Sequence, residues 1–323
     1  AKIPKEKNTE KKLRIEKVPG IKIKSGKKDK LQLWWESLSL DWQRIFKNNL
    51  KIKNEPSLKD LKNILKLENI DCYHEGEGQG EEVKLKNLIP LAKIKNLRIL
   101  DCCFTNINNL KGIAALTKLE QLACAGNSIQ DLHPLKKLVS LKKLGIQITN
   151  VRSLKALKNL KNLEKLDCSE TKIKNLEFLK NFTKLIEFNC FLSKVTSITP
   201  ISKLINLKIL QIGGTDSLNL IPLKDLKKLE HLEINSVKLN NIDVMQNLTN
   251  LRKLGLVETN IKNLEILSGL KKLKILSILE SNVKTLQPIW NLRLKELGCG
   301  ETKIPSKEIT KYKKDHPLCK ILL

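Results

Sequence analysis

The chain has few aromatic residues and a single methionine. Its 323 residues include four Trp, two Tyr, six Phe and one Met, so a globular core built on packed rings is not expected. Only 14 Gly and 10 Pro are present, which excludes a collagen-like chain, and a hydrophobic content of 41% excludes a wholly disordered one. No apolar run approaches the roughly 18 residues that a membrane-spanning helix needs. The first residues contain no apolar core of a signal peptide.

Acidic residues are scarce relative to basic ones. Lys and Arg number 61 against 34 Asp and Glu, which gives a formal net charge of +27. Residues 1–30 hold 12 basic and four acidic side chains, and we expect them to form a basic N-terminal arm. Two interpretations of the excess stay open: a lysine-rich surface that keeps the chain dissolved, or a surface that attracts a polyanion.

A repeat dominates the chain from residue 97 onward. Ten units follow one another in eight steps of 22 residues and a last step of 21. The units begin at Leu97, Leu119, Leu141, Leu163, Leu185, Leu207, Leu229, Leu251, Leu273 and Leu294. Each reads L-x-x-L-x-[LIC]-x-x-[TNS]-x-[ILV] and continues with Leu at about every third position. The first half predicts a short strand and the second half a tight 3₁₀-like turn, and stacked units predict a solenoid.

Two slots of the repeat hold residues other than leucine. Six cysteines take the sixth position, which is predicted to be buried: Cys72, Cys102, Cys124, Cys168, Cys190 and Cys299. Their spacing fits neither a disulfide framework nor a zinc site, so reduced thiols and a cytoplasmic location are expected. The ninth position is polar, and its side chain is predicted to satisfy backbone groups at the turn. Val237 breaks that rule and predicts a looser turn.

The pattern resembles the leucine-rich repeat. The 22-residue period, together with Leu88-Ile89-Pro90-Leu91 and Ile221-Pro222-Leu223, is similar to the internalin-like class of bacterial repeat proteins. The resemblance implies an α/β fold: a right-handed solenoid with a parallel β-sheet on the concave face and short 3₁₀ or helical turns on the convex face. It also implies a helical cap at each end.

The sequence predicts four regions along the chain. After the arm at 1–30 come a helical N-terminal cap at 31–60, about 11 repeats at 61–305, and a C-terminal cap at 306–323. In the N-terminal cap, Trp35, Leu38, Trp42 and Ile45 stand at helical spacing. The glycine-rich segment 74–82 is predicted to be an insertion loop, because it carries four Glu and lacks the ending of a phosphate-binding loop.

The concave surface is predicted to carry the second, third, fifth, seventh and eighth residues of each unit. These positions hold nine basic and twelve acidic residues, so the inner face is mildly acidic in a basic chain. A groove that grips nucleic acid should be basic and rich in aromatic residues. We therefore expect the basic excess, and any polyanion contact, on the convex side, the flanks and the ends.

Three groups of concave residues are candidates for binding a partner. The first is a bipolar surface, with acidic and basic columns about 20 Å apart along the strands: Glu258, Glu280 and Glu301 against Arg252, Lys274 and Lys295. The second is an apolar patch beside Gly213 and Gly214: Phe191 and Leu192, with Ile186 and Ile209 flanking them. The third pairs Phe104 with Ile148. The alternative is that these side chains extend into water and bind nothing.

No residue pattern indicates catalysis. The four histidines lie far apart, His231 and Glu233 are expected to form a surface pair, and Cys103 is expected to be an inert thiol. We therefore expect no enzyme activity, cofactor, metal or small-molecule substrate. The predicted function is a protein–protein interaction scaffold that binds another protein through the concave face. In the alternative, residues 1–30 and the convex lysines attach the protein to RNA, a ribonucleoprotein or an acidic membrane.

Overall fold

Short parallel strands lie side by side along the chain. The computed structural model describes residues 29–72 and 84–323. The predicted arm, apart from Asp29 and Lys30, and the predicted loop at 74–82 lie outside the described residues. The strands are β1 Asn69–Asp71, β2 Ile99–Asp101, β3 Gln121–Ala123, β4 Lys143–Gly145, β5 Lys165–Asp167, β6 Glu187–Asn189, β7 Ile209–Gly213, β8 Ser217–Asn219, β9 His231–Asn235, β10 Lys238–Asn240, β11 Lys253–Gly255, β12 Ile275–Ser277, β13 Glu296–Gly298 and β14 Lys320–Leu322.

Twelve of these strands form one open parallel sheet. Their order is β1-β2-β3-β4-β5-β6-β7-β9-β11-β12-β13-β14, so each repeat pairs with the next one along the chain. The register aligns the fourth residue of every unit, as in the row Leu254, Leu276 and Leu297. These leucines are fully buried. The predicted leucine-rich solenoid with a parallel sheet on its concave face is confirmed.

The return path of each repeat contains a 3₁₀ turn. The turns are Ile89–Lys93, Lys111–Ile113, His133–Lys137, Lys155–Leu157, Glu177–Asn181, Thr199–Lys203, Ile221–Leu223, Ile242–Asn247, Glu265–Leu267 and Gln287–Ile289. A polar side chain two residues before many of these turns accepts a hydrogen bond from the first N–H, as Asn109 does from Lys111. The convex side is thus built from tight turns, as the period of three predicts.

The polar ninth position is buried and hydrogen-bonded in most units. Thr171 is 3% exposed, and its hydroxyl donates to the carbonyl of Cys168 at 2.7 Å. The same bond recurs three residues back at Thr105, Thr149, Ser193, Thr259 and Thr302. Asn127 instead donates to the carbonyls of Cys102, Cys124 and Ala125. A backbone carbonyl at the strand end is thereby satisfied without water.

The sixth and seventh repeats depart from this plan. Their strands β7 and β9 run five residues instead of three, and β8 and β10 pair in a second parallel ladder on the flank. Val237 is 5% exposed and bridges to Thr259. The looser turn predicted at Val237 is wrong, because extra strand pairing replaces the missing hydroxyl bond there.

The N-terminal cap consists of three helices: α1 Lys30–Glu36, α2 Leu40–Leu50 and α3 Leu58–Ile64. Ser39 caps α2, so the helical spacing around Leu38 is divided between two helices. The indole N–H of Trp42 donates to the carbonyl of Asn87 at 3.1 Å, which holds α2 against the first repeats. The cap therefore covers the apolar end of the solenoid.

The C-terminal cap is the helix α4 Ser306–Asp315 followed by β14. The buried ring of Tyr312 stacks on His316 with centroids 4.0 Å apart and meets Trp290 edge-on at 5.2 Å. Glu308 accepts hydrogen bonds from Thr285 Oγ1 and from the Leu286 N–H. A helix, a proline and a last strand thus close this end in the predicted order.

Candidate functional site

The side chains at the five predicted positions of each repeat are at least partly exposed on the concave face. The exceptions are small residues that are buried, such as Ala125 and Gly255. A depression of about 370 Å³ runs across the middle of this face in the first six units. Ala123 and Gly145 form its floor, and Lys143, Lys165 and Glu187 lie along its side. The sheet therefore offers a shallow groove across the strands rather than an enclosed pocket.

Charges at the second position of the repeats are largely paired with each other. Glu120 lies between Arg98 and Lys142, with Nη2–Oε1 and Nζ–Oε2 distances of 2.5 and 2.8 Å. Both cations hold the pKa of Glu120 below its ordinary value, Lys142 contributing most. Glu230 lies between Lys208 and Arg252 in the same way, at 3.4 and 3.6 Å. Alternating signs in one column thus cancel along this edge of the sheet.

A second paired cluster surrounds Glu233 on β9. Its carboxylate contacts His231 Nε2 at 2.9 Å, Lys253 Nζ at 2.7 Å and Gln211 Nε2 at 2.6 Å. These contacts, that of His231 first, lower the pKa of Glu233 far below its ordinary value. The cluster contains no nucleophile, and its carboxylate is held ionised, so the expected surface pair of His231 and Glu233 takes a structural role.

The eighth residue adopts a left-handed backbone in all ten units that begin at Leu97 to Leu294. We call this set the eighth-residue column. In eight of the ten units the residue is not glycine, although φ is between 52° and 55°: Phe104, Ile148, Glu170, Leu192, Ser236, Glu258, Glu280 and Glu301. Gly126 and Gly214 complete the column with φ of 64° and 68°. This conformation costs a non-glycine residue about 1–2 kcal/mol, and a β-branched residue such as Ile148 is a rare occupant.

Backbone hydrogen bonds hold the column in place. The N–H of each eighth residue from Phe104 to Glu280 donates to the seventh-residue carbonyl of the next unit, as from Ile148 to Ser169 at 3.1 Å and from Glu170 to Phe191 at 2.8 Å. Where the fifth residue is Asp or Asn, its side chain also accepts from the seventh N–H, as in Asn189 and Phe191. The column is therefore a rigid rim at the carboxyl-terminal edge of the sheet.

The first half of the rim is apolar. Phe104, Ile148 and Leu192 are 57%, 45% and 47% exposed. The ring of Phe104 lies over Gly126, and the side chain of Leu192 lies over Gly214, so a side chain at either glycine would collide with its neighbour. Between Ile148 and Leu192, around Glu170, a hollow of about 390 Å³ opens to solvent. Phe104, Ile148 and Leu192 thus belong to one surface rather than to two separate patches.

Two predicted neighbours of Leu192 lie elsewhere. Ile186 is the second residue and Ile209 the third residue of their units, and the Ile209 N–H donates to the Ile186 carbonyl. Five residues of strand separate Ile186 from Phe191, which is roughly 16 Å. Ile209 therefore lines the groove, and neither isoleucine belongs to the rim. Phe191 itself is half-buried, and Leu192 lies over the backbone of Gly214.

The last half of the rim is acidic. Glu258, Glu280 and Glu301 are exposed and follow one another in adjacent strands. Glu258 accepts a hydrogen bond from Ser236 Oγ at 2.7 Å. Within residues 29–72 and 84–323, no Lys or Arg forms an ion pair with any of the three. The predicted acidic column is thus a continuous, uncompensated strip.

The opposing basic column is only partly free. Arg252 pairs with Glu230, Lys274 donates to the Arg293 carbonyl at 3.3 Å, and Lys295 is exposed. The bipolar arrangement is therefore unequal, because Arg252 on its basic side has an ion-pair partner and none of the three glutamates has one among the described residues.

The cysteines, the possible metal ligands and the helices are further features of the described residues that bear on function. All eight cysteines are free, and burial followed by the hydrogen bond and charge of Asp101 raises the pKa of the Cys103 thiol to about 12. In the part of the chain that is described, no three His, Cys, Asp or Glu side chains gather as metal ligands. Nor does any helix there have the length and apolar content needed to cross a bilayer.

Sequence reasoning missed the left-handed rim. The only signal was the pair of glycines, Gly126 and Gly214, at the eighth position of two units, because glycine tolerates a positive φ. The other eight units give no such signal, because Phe, Ile, Leu, Glu and Ser at this position do not favour a positive φ.

Comparisons with known proteins support the fold. No protein-family model matches the sequence, and no curated protein matches it either. An internalin structure from Listeria monocytogenes superimposes with a TM-score of 0.72 at 19% identity, over 88% of each chain. The internalin C2 structure from the same organism gives 0.55 at 29% identity, over 59% of this chain and 83% of that one.

A plant receptor shares the architecture as well. The structure of a plant peptide hormone receptor, RGFR1, in complex with RGF2 gives a TM-score of 0.56 at 19% identity, over 69% of this chain and 40% of that one. The stacked 22-residue units, the open parallel sheet and these likenesses agree that the chain has an internalin-like leucine-rich repeat fold.

Proposed function

We propose that the protein is a non-enzymatic scaffold that binds another protein through its concave face. The observation that carries this proposal is the exposed apolar rim of Phe104, Ile148 and Leu192. None of these side chains belongs to the buried core, and two of them lie over glycine backbone. Bulky residues kept in a costly conformation at a rigid edge suit recognition, because a pre-formed surface loses little entropy on binding. The free thiols fit a cytoplasmic location, which belongs to the same proposal.

A selection from a random 16-residue peptide library on the immobilised full-length protein tests this. We expect the selected peptides to bind the wild type and to lose at least about fivefold in affinity, or about 1 kcal/mol, against Phe191→Ala/Leu192→Ala. The matched control is Ile205→Ala, which truncates a 58% exposed isoleucine outside the five concave positions. Circular dichroism melting checks that both variants fold.

Two outcomes would contradict the proposal. Either no peptide is enriched, or the enriched peptides bind the double variant and the Ile205→Ala control with the wild-type affinity.

A second candidate function rests on the net charge of +27. Since the concave positions carry more acidic than basic residues, the basic excess lies outside the concave face. Basic groups outside that face would attach the protein to RNA or to an acidic membrane. Several flank lysines are already engaged internally, such as Lys184 with Asn162 and Lys228 with Asn206. Binding of polyuridine RNA and of phosphatidylserine vesicles should fall steeply with salt and be lost on deletion of residues 1–28. Binding that is unchanged by the deletion would remove the arm from this role.

A further inference from the structure

The side chains of the eighth-residue column change from mainly apolar to acidic along its length, and this change limits which partners the column can bind. From Phe104 to Leu192 three of its five residues are apolar, with Gly126 and Glu170 between them, and from Glu258 to Glu301 it is acidic. The ten strands are spaced by about 4.8 Å, so the rim is about 43 Å long. A partner that lies along it meets an apolar half first and a negatively charged half second.

Large side chains alternate with smaller or polar ones in the apolar half. Phe104, Ile148 and Leu192 stand two strands apart, which is about 10 Å. The 390 Å³ hollow between Ile148 and Leu192 has room for one further apolar side chain, with Lys172 at its margin. The rim therefore presents projections and a hollow at intervals that a single extended chain can match, since three residues of such a chain span about 10 Å.

The acidic half is a run of three adjacent carboxylates without an ion pair, whereas several other glutamates of the concave face have one; Glu164 and Glu170 also lack one among the described residues. Glu120, Glu187, Glu230 and Glu233 are each paired with Lys or Arg. Glu258, Glu280 and Glu301 are not paired with any cation of the described residues, although the protein is rich in lysine. Three uncompensated carboxylates at strand spacing repel one another by a few tenths to about 1 kcal/mol per neighbouring pair. A cationic partner would remove that repulsion.

From these observations we infer that the eighth-residue column binds an extended polypeptide segment of a partner protein, with apolar side chains at one end and Lys or Arg at the other. The apolar end lies on Phe104, Ile148 and Leu192, and the basic end on Glu258, Glu280 and Glu301. About 13 extended residues cover the rim. The inference rests on the proposed function, since it names the partner chemistry for the same face.

Charge reversal at the acidic half tests the inference with the peptides selected above. We expect those peptides to contain an apolar segment and an excess of Lys and Arg. The variant Glu258→Lys/Glu280→Lys/Glu301→Lys should weaken them at least about tenfold, because attraction becomes repulsion. Versions of the same peptides with Glu in place of Lys and Arg should bind this variant better than the wild type.

The control reverses the same number of charges on the outer turns. Asp225→Lys/Asp243→Lys/Glu265→Lys changes the net charge equally at exposed positions outside the column. An equal loss in both triple variants would show that only net charge matters and would overturn the inference. Selected peptides without basic residues, or competition by polyuridine RNA for the rim, would also overturn it.

Failure of the inference can be told apart from failure of the proposed function. If the peptides respond to Phe191→Ala/Leu192→Ala but not to the charge reversal, the concave scaffold stands and the basic end of the partner is wrong. If they respond to neither, the whole face is wrong.

Discussion

The ninth position of the repeat shows how a single side chain satisfies a buried backbone carbonyl in a leucine-rich solenoid. Thr171 is buried, and its hydroxyl donates to the carbonyl of Cys168. Thr215 fills the same slot in the irregular sixth repeat, but it is half-buried and reaches only the Ser217 carbonyl at 3.4 Å. The same residue type therefore does different work in the two units.

Thr171→Val should lower the free energy of unfolding by about 1–2 kcal/mol, because the isosteric change leaves a buried carbonyl without its donor. Thr215→Val should change it by less than about 0.5 kcal/mol. Urea denaturation of the two variants measures the difference. Equal effects at both sites would mean that the hydroxyl bond contributes nothing specific to the turn.

At the scale of elements, the two edges of the sheet are closed by different devices. The side chain of Asn49 on α2 donates to the Asp71 carbonyl at 2.8 Å and accepts from the Asp71 N–H at 3.0 Å. One amide thus satisfies the exposed edge of β1 as a neighbouring strand would. At the other edge, β14 adds a strand to β13, and the backbone of Leu323 covers Gly300.

Asn49→Ala should destabilise the N-terminal cap by about 2 kcal/mol, since two hydrogen bonds to the edge strand are lost together. Hydrogen exchange at the Asp71 amide should become faster, while amides of the central strands keep their rates. Asn48→Ala is the matched control, because this exposed neighbour has no side-chain hydrogen bond among those described. If exchange at Asp71 is as slow in Asn49→Ala as in Asn48→Ala, the amide does not protect the edge.

At the scale of the whole molecule, a continuous core links the repeats. Seven cysteines are buried in it, and Cys103 is half-buried on the concave face. Burial raises the pKa of Cys102 and Cys168 well above the ordinary value, and the thiol of Cys103 reaches about 12. At pH 8 a thiol with that pKa is ionised in about one molecule in ten thousand.

The folded protein should therefore react with an aryl disulfide reagent at less than one thiol per chain at pH 8. In denaturant all eight thiols should react. Cys103→Ser should leave the native rate unchanged if the core opens only as a unit. Rapid reaction of one or more thiols that persists in Cys103→Ser would show instead that individual repeats open separately.

The sequence alone determined the architecture. A 22-residue period with leucine at fixed positions predicts a solenoid, because a single unit cannot bury its apolar face and a stack of units can. The parallel register, the buried cysteines and the exposed concave positions follow from that period. So do the placement of Phe104, Ile148 and Leu192 on the surface and the acidic strip of Glu258, Glu280 and Glu301.

Only the tertiary structure decided how those residues come together. The left-handed backbone at the eighth position arises from hydrogen bonds between neighbouring repeats, and no local propensity of Ile148 or Phe104 favours it. Which carboxylates have a cation nearby depends on side-chain reach across strands that lie 22 residues apart in the chain. Glu120 is paired and Glu280 is not for that reason, and only the folded sheet distinguishes an acidic residue that has a cation beside it from one that has none among the described residues.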